Sequence, residues 1–121
     1  MRRTTPSEHQ EQCAVIDWWR IAHKGYKLPE YALFAIPNGS ERHAAVGAKL
    51  KSEGVRRGIP DLFLAVRWSN LGGLFIEMKR KPNKLTEEQY DVGKYLEHAG
   101  YRRVVAYSAD EAIAAIKEYL G

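Results

Sequence analysis

Three residues in this 121-residue chain have the types and spacing to do chemistry together. Asp61 follows Pro60 at the head of one apolar run, DLFLAV (61–66), and Glu77 and Lys79 close a second, GLFIEMK (73–79). Side chains alternate faces along an extended strand, so Glu77 and Lys79 share one side while Met78 takes the other. The short loop between the runs, holding Asn70 and Gly72, allows only an antiparallel hairpin. If that hairpin closes around residues 67–73, Asp61 lies close to Lys79 and about two positions from Glu77. Phe63 and Phe75 then continue the same face toward the loop.

Two carboxylates a few ångströms apart repel each other unless a cation sits between them. Oxygen ligands with no His or Cys among them select Mg²⁺ or Mn²⁺ over zinc. A lysine beside them can orient a water, help deprotonate it, or neutralise charge building on a phosphate. Water activated in this way hydrolyses phosphodiesters. Charged residues also end strands simply to reach solvent. Placement on one face of two paired strands favours a site.

The elements that must hold these residues read as follows. Ser7 caps a first helix, with Glu8 and Glu11 in its first turn, Val15, Trp18, Trp19 and Ala22 along one face, and Gly25 as its stop. YALFAI (31–36) is β-like and ends at the Pro37-Asn38-Gly39 turn. Residues 41–53 pattern as a helix ending at Gly54, and the two hairpin strands follow. Thr86 caps a helix over 87–98 that Gly100 ends, RVVAY (103–107) is a fourth strand, and Ser108 opens a last helix over 109–120. The order α-β-α-β-β-α-β-α predicts an α/β fold, a mixed sheet of about four strands with helices packed on it. The closing β-α-β passage favours a parallel pair.

Hydrophobic residues at 45% and charged residues at 28% match an ordinary globular domain, and the length suits a single one over 1–121. One cysteine, Cys13, excludes an internal disulfide and a multi-cysteine zinc site. Beside Ala14 and Val15 it reads as a small buried hydrophobe. No apolar run reaches the roughly 18 residues of a membrane span, and the N-terminus turns polar at once, so the expected location is cytoplasmic. His9, His23, His43 and His98 show no metal-ligand spacing. Trp18 and Trp19 read as core or interface, and Trp68 as an exposed aromatic at the hairpin loop.

Pro60-Asp61 followed by Glu77-Met78-Lys79 resembles the PD-(D/E)XK motif of restriction-endonuclease-like nucleases. IPNGSER (36–42), EGVRRGIPDLFL (53–64), LFIEMKR (74–80) and KLTEEQ (84–89) resemble, in order and spacing, the virus-type replication-repair nuclease domain (VRR-NUC), from about Glu8 to Leu120. The resemblance implies a restriction-endonuclease-like α-β-β-β-α-β core and a divalent-metal nuclease on branched or flapped DNA. It also implies that Asp61, Glu77 and the backbone carbonyl of Met78 hold the metal and that Lys79 is catalytic. Gln89 is then expected to contact the active-site water or the lysine. A first-helix glutamate, Glu11 in preference to Glu8, would complete the metal shell. Both also suit a helix N-terminus as plain favourable charge. Asn38 would touch DNA while serving its turn.

The chain carries 19 Lys and Arg against 15 Asp and Glu, a net +4, with pI near 9.2. The excess gathers around the candidate site as Arg42, Lys51, Arg56, Arg57, Arg80, Lys81 and Lys84, fit to neutralise phosphates. Paired incision of a four-way (Holliday) junction suits a homodimer with C₂ symmetry, the expectation for a standalone phage-type member. A flap or single-strand nuclease, and an inactive DNA-binding module of the same fold, are the alternatives. Retention of Asp61, Glu77 and Lys79 argues against the inactive module.

Overall fold

The computed structural model describes residues 6–38 and 44–121. The first helix, α1 (Glu8–Ala22), begins with a reciprocal cap. The Gln10 amide donates to Ser7 Oγ at 3.1 Å, and the Ser7 amide donates back to the Gln10 side chain at 2.9 Å. Val15 and Trp19, one turn apart, are the buried stripe. Cys13 stands two residues from Val15, over half a helical turn around, and is exposed with its sulfur 3.6 Å from His9 Nε2. The expected buried cysteine is therefore a surface residue.

After a 3₁₀ turn at Glu30–Ala32, whose Glu30 carbonyl accepts the Trp19 indole N–H at 2.7 Å, the chain forms β1 (Leu33–Ala35). The strand expected over 31–36 is thus half turn. Next comes α2 (Ala44–Ser52), ending at Gly54 in a left-handed conformation of φ 100°. Positions 41–43 of the expected helix, with Arg42 and His43, lie outside the described residues. Then follow β2 (Leu62–Leu64), β3 (Leu74–Met78), α3 (Glu87–His98), β4 (Arg102–Ala106) and α4 (Ala109–Leu120). Thr86 and Ser108 cap α3 and α4 as read from the sequence.

The strands form one mixed sheet in the order β1-β2-β3-β4, antiparallel except for the parallel β3–β4 pair. Leu62 stands opposite Ile76, Leu64 opposite Leu74, and Met78 opposite Ala106. These side chains share a core with Val15 and Trp19 of α1 and Ala112, Ile116 and Tyr119 of α4. Strand alternation sends the odd-numbered residues of β2, β3 and β4, with Phe34 of β1, to the other face, over which α3 lies against β4. There Phe34 stands opposite Phe63 and Phe63 opposite Phe75, the last two rings 4.3 Å apart. Phe75 in turn pairs with Arg103 of β4.

The hairpin register differs from the expected one. Leu62 pairs with Ile76, so the ladder extended by one step places Asp61 across from Glu77, not Lys79. The cause is irregular chain near the loop. The Val66 amide turns back onto the Leu64 carbonyl at 2.9 Å, and a separate bridge joins Trp68 to Leu71. Trp68 itself is 54% exposed, the loop aromatic the sequence suggested. No helix among the described residues is long and apolar enough to cross a membrane.

Candidate active site

Asp61 leads into β2 and is held from two directions. The Met78 amide donates to its Oδ2 at 2.7 Å, and the Asn38 side-chain amide donates to its Oδ1 at 2.8 Å. An ionised carboxylate has about four acceptor positions, so these two bonds orient Asp61 without exhausting it. Asn38, expected as a turn and DNA-contact residue, thus acts directly on the aspartate from the end of the β1 segment.

Glu77 is 2% exposed, the single buried charged side chain among the described residues. Its Oε2 receives the Gln89 amide at 3.4 Å, while its Oε1 is buried with no hydrogen-bond partner. Burial, then the Asp61 carboxylate beside it, push the Glu77 carboxyl up to about 9, against the pull of Lys79 and Arg103. Two carboxylates so arranged do not both ionise by themselves. A hard divalent cation would let them, and the orphaned Oε1 is an available donor for one. The residues therefore fit a Mg²⁺- or Mn²⁺-type ion. Among the described residues, however, no three His, Cys, Asp or Glu side chains stand together as a ready-made ligand set.

Gln89 serves two elements at once. Its carbonyl accepts the Thr86 amide at 2.9 Å, completing the cap of α3, and its amide turns to Glu77. The protein partner of that amide is the glutamate, where the sequence led to the active-site water or the lysine. Lys79 follows β3, its amide donating to the Ala106 carbonyl at 2.8 Å. Its side chain lines a cleft of about 370 Å³ together with Glu8, Glu11, Arg80 and Lys81. Glu8 and Glu11 thus face the lysine side of the site. Glu11 Oε2 accepts the Ala109 amide at 2.6 Å and so caps α4, a bond that Glu8 does not make.

Arg103 was not singled out in the sequence. It lies on the same sheet face, with its strand neighbour Val105 directly beside Glu77. Its guanidinium is seated against Gly93 of α3, where even a β-carbon would collide with it, and its Nη1 is buried without a hydrogen-bond partner. A glycine inside an otherwise regular helical pattern was the available signal. The basic residues divide between two sides. Lys51, Arg56 and Arg57 line one cleft with Asn38, Arg80 and Lys81 line the other with Lys79, and Lys84 is exposed ahead of α3.

The family model for the VRR-NUC domain matches residues 3–110. A solved structure described as a VRR_NUC domain protein is 28% identical, with a TM-score of 0.79 over 98% of this chain and 93% of that one. No curated protein matches the chain.

Proposed function

The chain belongs to the VRR-NUC domain family, and we propose that it is a structure-selective endodeoxyribonuclease that hydrolyses phosphodiesters of branched DNA with Mg²⁺ or Mn²⁺. The observation that carries this reading is the Asp61–Glu77 pair, its glutamate buried and short of one hydrogen bond and its aspartate half-buried, with Lys79 two residues beyond Glu77. Asp61, Glu77 and the Met78 carbonyl would hold the ion, with Glu11 or Glu8 as the helix carboxylate that completes its shell. When bound, the ion supplies charge for the phosphate and activation for the attacking water.

The remaining work falls to the chain's own residues. Asn38 and the Met78 amide fix Asp61, and Gln89 fixes Glu77. Lys79 places an ammonium where it can orient water and offset charge developing on the phosphate. Lys51, Arg56, Arg57, Arg80, Lys81 and Lys84 carry the DNA backbone, so affinity falls steeply with salt. The leading substrate is a four-way junction, cut by a C₂ homodimer whose contact uses exposed aromatics such as Tyr31 and Phe34. A flap is the second.

The test is incubation with junction, flap, single-stranded and plain duplex DNA in Mg²⁺ or Mn²⁺ and in EDTA. Cleavage of a branched substrate that EDTA abolishes, and that Lys79→Ala removes while sparing binding, is the expected result. Binding without cleavage in any metal would make the chain an inactive DNA-binding module. Sedimentation of the free protein measures the dimer separately.

A further inference from the structure

Between the end of α2, the 53–59 loop and the first turns of α3 lies a cleft of about 640 Å³. Its half-buried lining is formed by the apolar Val55, Ile59 and Val92, with the polar Asn38 beside them. Exposed Lys51, Arg56 and Arg57 surround that surface, against a single acid, Glu88. Phosphate contacts alone need only the cations, so the apolar lining asks for a second chemical group. A planar base joined to a phosphate satisfies both halves, and the volume falls in the range of small-ligand clefts.

Two further features bear on the occupant. Asn38 lines the cleft and also donates to Asp61, so the cleft adjoins the carboxylate site through one side chain. Gly58, in a left-handed conformation of φ 88°, brings the loop so close that an added β-carbon would stand 2.9 Å from the Glu88 carbonyl. That approach docks the loop against α3 and fixes that wall of the cleft. A base stacked within a duplex cannot enter such a recess, whereas an unpaired base can.

We propose that this cleft takes one unpaired nucleotide beside the cut, its base against Val55, Ile59 and Val92 and its phosphate on Lys51, Arg56 and Arg57. The proposal rests on the nuclease reading and narrows its substrate to branches that offer an unpaired nucleotide at this point, which places the flap ahead of the fully paired four-way junction.

The test is binding of the full chain to a fluorescent flap DNA and to a plain duplex, with Ca²⁺ in place of Mg²⁺, while an abasic residue is walked along the unpaired arm. One position should lose affinity about tenfold, roughly the worth of burying one base, and its neighbours should lose little. Ala48→Trp, on the cleft wall, should erase the preference for flap over duplex and make that abasic position silent. A uniform response along the arm overturns the proposal on the unaltered protein alone, and an unchanged preference in Ala48→Trp does so independently. A localised abasic effect in a protein that never cuts in Mg²⁺ or Mn²⁺ would uphold the cleft and retire the nuclease reading. Cutting with a uniform abasic profile would do the reverse.

Discussion

The side-chain amide of Asn38 donates to Asp61 Oδ1 at 2.8 Å, joining the end of the β1 segment to the head of β2 across 23 residues of sequence. With the Met78 amide on Oδ2, it leaves the aspartate no freedom to turn away from Glu77. Groups that orient a metal-ligating carboxylate typically carry 10–100-fold in metal affinity or activity. Asn38→Ala should therefore lower cleavage by about that much and raise the Mn²⁺ concentration needed for half-maximal rate. Asn38→Asp, which cannot donate and adds a third negative charge, should rescue nothing. An unchanged Mn²⁺ requirement, with only DNA affinity reduced, would assign Asn38 to the DNA and not to Asp61.

The Glu77 carboxyl, raised from 4.5 to about 9 first by burial and then by Asp61, makes metal-free stability depend on pH. Between those values the folded chain keeps a proton that the unfolded chain has released. Stability then falls as pH rises through that window and levels off above about 9. Glu77→Gln removes the titration while keeping the shape. In EDTA it should unfold at higher urea than wild type at pH 8, with the two converging toward pH 5. Adding Mn²⁺ should stabilise wild type and leave the variant where it was. Parallel urea midpoints for the two proteins across this range would refute the assignment.

What the sequence disclosed, and what it withheld, follows the distance over which each interaction acts. Ser7, Thr86 and Ser108 were legible as caps because the hydrogen bonds that make them caps close within three residues. The shared face of Glu77 and Lys79 was legible because strand alternation is local geometry. The pairing of Asp61 with Glu77 was not, since the turn at Val66 takes up chain that an even hairpin would leave in the ladder. Asn38 was found as a turn residue and missed as an Asp61 donor, because no local pattern links the two. Glu11 had two readings that only the fold could weigh, and its bond to Ala109 crosses 98 residues.

Gly93 and Arg103 form a close-seated pair that a double-mutant cycle can expose. Replacing an interior helical glycine by alanine ordinarily stabilises by about 1 kcal/mol. Here the new methyl would strike the Arg103 guanidinium, the far end of a flexible side chain that must move aside, so Gly93→Ala should fall short of that gain. In an Arg103→Ala background the obstacle is gone, and the same change should give the full gain. Urea unfolding of the four proteins completes the double-mutant cycle. A glycine-to-alanine effect of the same size in both backgrounds would show that the guanidinium does not occupy that seat.

Glu11 and Glu8 are separable by stability alone, before any metal is added. Glu11 Oε2 accepts the first amide of α4 at 2.6 Å, bringing a negative charge to the positive end of that helix. Glu8 has only the favourable first turn of its own helix. In EDTA, Glu11→Ala should cost about 1 kcal/mol, the usual worth of a cap, and Glu8→Ala only a few tenths. Glu11→Gln, which keeps a neutral acceptor, should recover part of the loss. Mn²⁺ titration of the same three variants then reads ligation separately. A variant that weakens Mn²⁺ binding beyond its cost in EDTA marks the helix carboxylate that reaches the ion, and equal stability of Glu11→Ala and wild type in EDTA would sink the capping role.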